Sequence, residues 1–466
     1  MNNFYLSAKS MKADILHSVA LAAGLIIVCG LAQADPLSSN NGFYPGDKYK
    51  GRFVAANLDY PDAPQGARFP AGGPAGKPLT VETAEKYMMD LKEFIRPNFS
   101  KIVNDPGNWD PVEAGWYDLV WSGNSDSDPK DPTGGRESLM NTYTGQIIHR
   151  TSFAAGHRPS SKFVQNHAVI YYDERAATMM GDVWDDLYDA DISKLSFPEG
   201  SIVIKTEATT PTIEEWPSVL NGAATWRVFR PTTLDQGNKV TPLVPEVVEA
   251  HPLQMSIKVK DSVASPETGW VFMAFVYDAS LFDASSTGQT VWDRFVPLGV
   301  MWGNDPQFNR DPNGLPAGQT LTETWINPGK PPFTEDTLGW GGRMAGPMDV
   351  ATRQGVITTS GTYFGEKDIG ASSCMSCHGA AEYPISVNLY PSPNSVFPRN
   401  GEPFLLYEPG SAEWAEWFMN RTGDQAQSGG RGPIATDYGW GILFALGSTP
   451  RVTGKLGLAV DAFDVH

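Results

Sequence analysis

The run Cys374-Met375-Ser376-Cys377-His378 sets two thiols three positions apart, with an imidazole directly behind them. Residues i and i+3 share one face of a helix, so a single helical turn brings both sulfurs to the same side. Thiols placed this way can add to the two vinyl groups of one protoporphyrin ring, and the histidine that follows then lies under the iron as an axial ligand. The spacing predicts one covalently held haem c, attached through Cys374 and Cys377, with His378 as the proximal ligand. It also constrains the fold. The chain has to supply a helical turn over 374–381 and apolar side chains to cover a porphyrin face.

Counting cysteines removes the rival readings. The whole chain holds three, and the third, Cys29, lies in an apolar N-terminal run. A four-ligand structural zinc site needs a second pair of ligands. A thioredoxin-like pair belongs at the helix start of a βαβ unit, whereas this motif follows a Gly/Ser-rich stretch over 361–373. A disulfide closing only two residues constrains little of the unfolded chain and leaves His378 unexplained.

The compartment agrees with the motif. Residues 1–34 read as a secretory signal peptide, with Lys9 and Lys12 in the basic region, an apolar run over 19–31, and Ala32-Gln33-Ala34 as a small-residue cleavage site. The apolar run is shorter than the roughly 20 residues that span a bilayer, and no later segment is long enough. The expected location is periplasmic or secreted in a bacterium, the side of the membrane on which c-type haem is attached, with no integral membrane segment after cleavage. A formal charge of −18 opposes nucleic acid and anionic lipid heads. Such a surface either keeps an exported chain in solution or docks a basic redox partner protein.

Beyond the leader the pattern changes twice. Thr80 caps a helix over 81–96 that ends before Pro97, with Tyr87, Leu91 and Phe94 on one face. From about 163 the period becomes two. Ser256, Lys258 and Lys260 alternate with Met255, Ile257 and Val259, a strand with one buried and one wet face. Similar runs fall at 163–173, 201–208, 224–230, 269–278 and 295–302, separated by turn residues. Further on, 411–423 and 434–446 read as helices beside the haem motif. The expected fold class is α+β. A β-rich portion over 35–335, a sandwich or partly closed barrel with an early helix, precedes a mainly helical cytochrome c-like haem region over 336–466.

The phrases Gly269-Trp270-Val271-Phe272, Trp302-Gly303-Asn304-Asp305-Pro306, Gly339-Trp340-Gly341-Gly342-Arg343 and Ser373-Cys374-Met375-Ser376-Cys377-His378-Gly379-Ala380 resemble a family of large exported single-haem cytochrome c proteins. The resemblance implies the haem and its attachment, and names no substrate.

The sixth iron ligand decides the chemistry. A methionine opposite the histidine closes the iron and raises its potential, which suits electron transfer. Met419 is the default candidate, the one methionine beyond Met375, with Met344 and Met348 on the other side of the motif as alternatives. The bland reading of Met419 is core packing. His149, His157, His167 and His251 are the internal histidines that could close the site instead. Arg343, Arg399 and Arg421 are candidate partners for haem propionates. Electron transfer by Fe(II)/Fe(III) cycling leads the functional readings. A haem-dependent oxidoreductase, whose β portion binds a substrate, and a haem-based ligand sensor are the alternatives.

Overall fold

Thr80 donates its N–H to Thr83 Oγ1 at 3.0 Å and opens helix α1 (Val81–Phe99), whose inner face buries Tyr87, Met88, Leu91, Ile95 and Phe99. The helix does not stop before Pro97 but runs through it. A proline inside a helix costs about 3 kcal/mol or more. Against that, the Phe99 ring is clasped by Trp109, Trp116, Tyr171 and Trp292 at centroid distances of 5.4, 4.9, 6.2 and 6.4 Å. Aromatic pairs contribute about 0.5–1.5 kcal/mol each beyond area burial, enough together to hold the last turn helical.

The computed structural model describes residues 46–450 apart from 122–134, 232–233, 236–237, 240–243, 286–287, 354, 364–368, 395–403 and 430–431. The leader over 1–34 with Cys29, and Arg399, lie outside the described residues. The described residues group as one compact unit.

Its frame is an eight-stranded antiparallel sheet: β1 (Tyr143–His149), β2 (Phe163–Tyr172), β3 (Ile202–Thr209), β4 (Trp226–Pro231), β5 (Pro245–Lys260), β6 (Trp270–Tyr277), β7 (Phe295–Met301) and β8 (Thr324–Ile326). The order is β1-β2-β3-β5-β6-β7-β8, with β4 paired to the first half of the long β5. Helix α2 (Glu174–Val183) follows β2, capped by Asp173. One face of the sheet packs on α1 and the segment after it: Tyr171 accepts the Trp109 indole N–H at 3.0 Å, and the buried Lys92 ammonium donates to Phe295 O at 2.7 Å. The other face carries Lys205, Glu207, Gln254, Ser256, Lys258 and Phe272, and the haem-motif segment lies against it.

Two parts of the expected fold class are corrected. The strands stand where the period-two runs fall, but they form a single sheet that runs from β1 to β8 without closing, not a sandwich or barrel. Its polar face is covered instead of wet. Glu207 and Gln254 are fully buried and Lys258 is 6 % exposed, because Gln254 and Lys258 pair with Asp349 and Tyr438 on the overlying segment while Glu207 pairs with its strand neighbours beneath it. The region after 336 is not mainly helical either. Its described α-helices are α3 (Cys374–Gly379), α4 (Ala412–Trp417) and α5 (Trp440–Ser448), six, six and nine residues long. Between them, glycines and prolines rule out long helices. The backbone there is satisfied by short ladders pairing Thr352–Arg353 with Ile369–Gly370, Val356–Thr358 with Phe404–Leu406, and Glu382–Tyr383 with Ile434–Ala435. An aromatic cluster built on Trp340, Trp414, Trp417 and Phe418 forms the core of this layer.

Candidate functional site

Ser373 starts α3 with a capping box: its N–H donates to Ser376 Oγ at 2.9 Å, and its hydroxyl accepts the Ser376 N–H at 3.3 Å. The first helical N–H, that of Cys374, donates to Met344 O at 3.0 Å, which ties the helix to the glycine-rich approach segment. At the other end the Trp440 indole donates to Cys377 O at 2.9 Å. Met375 points inward and is fully buried. The predicted haem trio is therefore held on one short helix, with Cys374 and Cys377 not joined in a disulfide and both they and His378 half-buried. Burial pushes the Cys374 thiol well above its usual range, with the Asp349 carboxylate adding to the effect.

His378 is oriented from 60 residues away. Its Nδ1 lies 2.9 Å from Tyr438 O. A carbonyl only accepts, so Nδ1 carries the proton and Nε2 keeps its lone pair. Burial, with the Lys258 charge adding to it, pulls the imidazole down to about 3, so the ring is neutral at physiological pH. Phe272 from β6 packs on the ring at 5.0 Å.

The turn that presents Tyr438 O is strained. Asp437 and Tyr438 take φ values of 49° and 61°, in the left-handed region that residues with a Cβ seldom enter. Strain of this kind persists only where the surroundings over-determine it. Asp437 accepts from Trp270 Nε1 and Lys260 Nζ at 2.7 Å and from Phe197 N–H at 2.9 Å. The Tyr438 hydroxyl donates to Arg421 O at 2.6 Å. Lys258, on the sheet, donates to the same Tyr438 carbonyl at 2.8 Å. Burial lowers the Lys258 amine to about 7, with Asp437 opposing the shift.

A second group of polar side chains lies along the same sheet face. Lys205 Nζ sits 2.7 Å from Glu207 Oε1 and 2.8 Å from Asp349 Oδ1. Gln254 Nε2 lies 2.6 Å from Glu207 Oε2 and 2.7 Å from Asp349 Oδ2, while its carbonyl accepts the Met348 N–H at 2.8 Å. Burial, then the Asp349 charge, raises Glu207 to about 7. Burial works against the Lys205 ammonium, but Asp349 and Glu207 outweigh it and hold the amine above its usual range. Asp349 is within electrostatic reach of both His378 and Cys374.

The other sequence candidates scatter. Met419 follows α4 at the surface, 42 % exposed, with its carbonyl accepting from Asn304 Nδ2 at 3.2 Å. Met344 and Met348 are fully buried. Arg343 is spent within the fold on Asn304 O, Trp340 O, Asp305 O and Asn309 Oδ1. Arg421 pairs with Glu416. His149 Nδ1 meets Thr151 Oγ1, His251 Nδ1 meets Ala224 O, and His167 is fully buried on the opposite face of the sheet from Glu207. Sequence reasoning missed Lys205, Glu207, Gln254, Asp349, Lys258 and the Asp437-Tyr438 turn. The signal for the first two was present: Lys205 and Glu207 stand two apart on a strand that is otherwise apolar and β-branched, where an unpaired charge is costly.

The donor set fits a c-type haem. Two cysteine sulfurs outside any disulfide share one helical turn, and a neutral imidazole offers Nε2 while Nδ1 is fixed by a carbonyl, the arrangement metal-binding histidines adopt. Among the described residues, no three or more His, Cys, Asp and Glu side chains converge as a metal-ion cage, and no helix is long and apolar enough to cross a membrane. In comparisons with family models, curated proteins and solved structures, nothing matches the chain.

Proposed function

We propose that this protein is an exported c-type cytochrome, akin to the large single-haem proteins its motif phrases resemble, that carries one haem on Cys374 and Cys377 and transfers single electrons. The observation that carries this reading is the state of His378, held as the Nδ1–H tautomer by Tyr438 O and kept neutral by burial. When bound, the haem supplies reversible Fe(II)/Fe(III) cycling. The chain's own part is to fix the attachment turn, aim Nε2, and bury the ring of His378 against Phe272. The acidic chain fits a basic redox partner.

A second reading is supported by the Lys205, Glu207, Gln254 and Asp349 group, which electron carriage alone does not need. A buried carboxyl raised to about 7 can hold or release a proton near neutral pH, so a haem-dependent oxidoreductase with its substrate over this face stands as the alternative.

The test is expression with haem-maturation machinery, followed by intact mass and haem staining of denatured protein. One covalent haem in the native sequence, lost in Cys374→Ser/Cys377→Ser, supports the reading. A haem-free product from competent machinery sinks it. Carbon monoxide binding by the ferrous protein then favours the oxidoreductase, and its absence the electron carrier.

A further inference from the structure

The Tyr438 carbonyl oxygen accepts two hydrogen bonds, one from His378 Nδ1 at 2.9 Å and one from Lys258 Nζ at 2.8 Å. Lys258 cannot easily leave. It is 6 % exposed, and its ammonium lies over the Trp270 ring at 4.4 Å and the Phe197 ring at 5.0 Å. The nearby Asp437 carboxylate is engaged by Lys260, Trp270 and the Phe197 N–H. The shared carbonyl is also fixed, because it belongs to the strained turn held on both sides by these contacts.

We infer that Lys258 is a positioning residue that raises the reduction potential of the site by competing with His378 for the Tyr438 carbonyl. The inference rests on the reading that His378 binds haem iron. A strong acceptor on Nδ1–H gives a histidine ligand imidazolate character and makes it a better donor to the metal. A second, charged donor on the same oxygen draws density away from it, so its pull on the imidazole proton weakens. The ligand then donates less, and the ferric form loses support. A buried cation beside the proximal ring acts in the same direction, since it opposes the extra positive charge of ferric iron in a medium of low dielectric. Both effects favour the ferrous state.

The experiment is a redox titration of the haem-loaded protein, run near pH 6 so that the amine is charged, comparing the native sequence with Lys258→Met and Lys258→Arg. In Lys258→Met the ferric-to-ferrous ratio at the native midpoint is expected to rise about tenfold, equivalent to a fall of ~59 mV for a one-electron couple. Lys258→Arg, which keeps charge and donor, should stay near the native value. If Lys258→Met does not fold by circular dichroism, Lys258→Leu, which likewise removes both charge and donor, is read the same way. A haem-loaded, histidine-ligated variant whose potential is unchanged or higher overturns the inference. Failure of the native protein to attach haem overturns the functional reading itself, and mass spectrometry reports that separately.

Discussion

The Asp437 carboxylate accepts the Trp270 indole N–H at 2.7 Å, joining two residues 167 positions apart and fixing the turn that aims His378. The same carboxylate pairs with Lys260, and the pair is nearly closed to solvent, with side-chain exposures of 14 % and 5 %. Removing one partner of a buried pair leaves the other charge uncompensated and costs about 3–5 kcal/mol. Asp437→Ala should therefore lower unfolding stability by that order in urea. It should also release the left-handed turn, so the haem-loaded variant should show a mixed ligand field where the native protein shows one. A variant as stable as the native protein with an unaltered spectrum would remove Asp437 from this account.

Lys205 is the counter-charge that lets Glu207 and Asp349 share one buried site. With Lys205→Met, two carboxylates face each other at low dielectric, and a loss of about 3–5 kcal/mol is expected at neutral pH. The pH dependence has a definite sign. Glu207 is raised from 4.5 to about 7, so between those values the folded chain holds a proton that the unfolded chain has released. Its contribution to stability is complete below 4.5 and is lost as pH climbs through 7. Without Lys205, Glu207 rises further and Asp349 loses the neighbour that holds its carboxyl below the usual range, so the deficit of the variant should widen between about pH 5 and pH 8. Urea midpoints measured across that range check this, and a deficit that narrows with rising pH contradicts it.

How much of this was legible in the sequence divides along physical lines. The short helix that sets Cys374 and Cys377 on one turn follows from five adjacent residues, because the spacing of the thiols is itself the geometry. The strands followed from alternation, since burial of Met255, Ile257 and Val259 leaves a period of two. What alternation cannot tell is what covers the polar side. Ser256, Lys258 and Lys260 look wet in one dimension, yet Lys258 is buried beneath a carbonyl supplied by Tyr438, 180 residues on. The same blindness made the strands look like a sandwich or barrel, because a covered polar face and a solvated one share a pattern. The helices after 336 were overdrawn for a local reason. Aromatic spacing around Trp414 and Trp417 marks a packed face, but that face belongs to a six-residue turn in a cluster with Trp340.

Met419 gives a sharper spectroscopic prediction. A thioether bound to iron lies buried beside the porphyrin, whereas Met419 is 42 % exposed and its backbone is held by Glu416 and Asn304. Met419→Ala is expected to leave the ferric and ferrous absorption spectra of the haem-loaded protein unchanged, with stability altered by less than about 0.5 kcal/mol, as for surface substitutions in general. Loss of a long-wavelength methionine-to-iron band in the variant would reverse this and make Met419 the sixth ligand.

Gly346 tests whether the polar group on the sheet is as rigid as its bonds imply. A Cβ at this position would fall 2.1 Å from Gln254 Nε2. Gln254 has nowhere to go, because its amide lies within bonding distance of Glu207 and Asp349 and its carbonyl accepts from Met348 N–H. Gly346→Ala should thus cost about 1–3 kcal/mol, the usual penalty of overpacking, by pushing apart the segment that also ties down Cys374 through Met344 O. Shortening the obstacle relieves the clash, so adding Gln254→Ala to Gly346→Ala should destabilise less than the sum of the two single changes. Contacting residues commonly show coupling of roughly 0.5–3 kcal/mol. Strict additivity in urea unfolding of the four proteins of this cycle would mean that Gln254 yields freely, and that the polar group is a loose surface network and not a fixed part of the site.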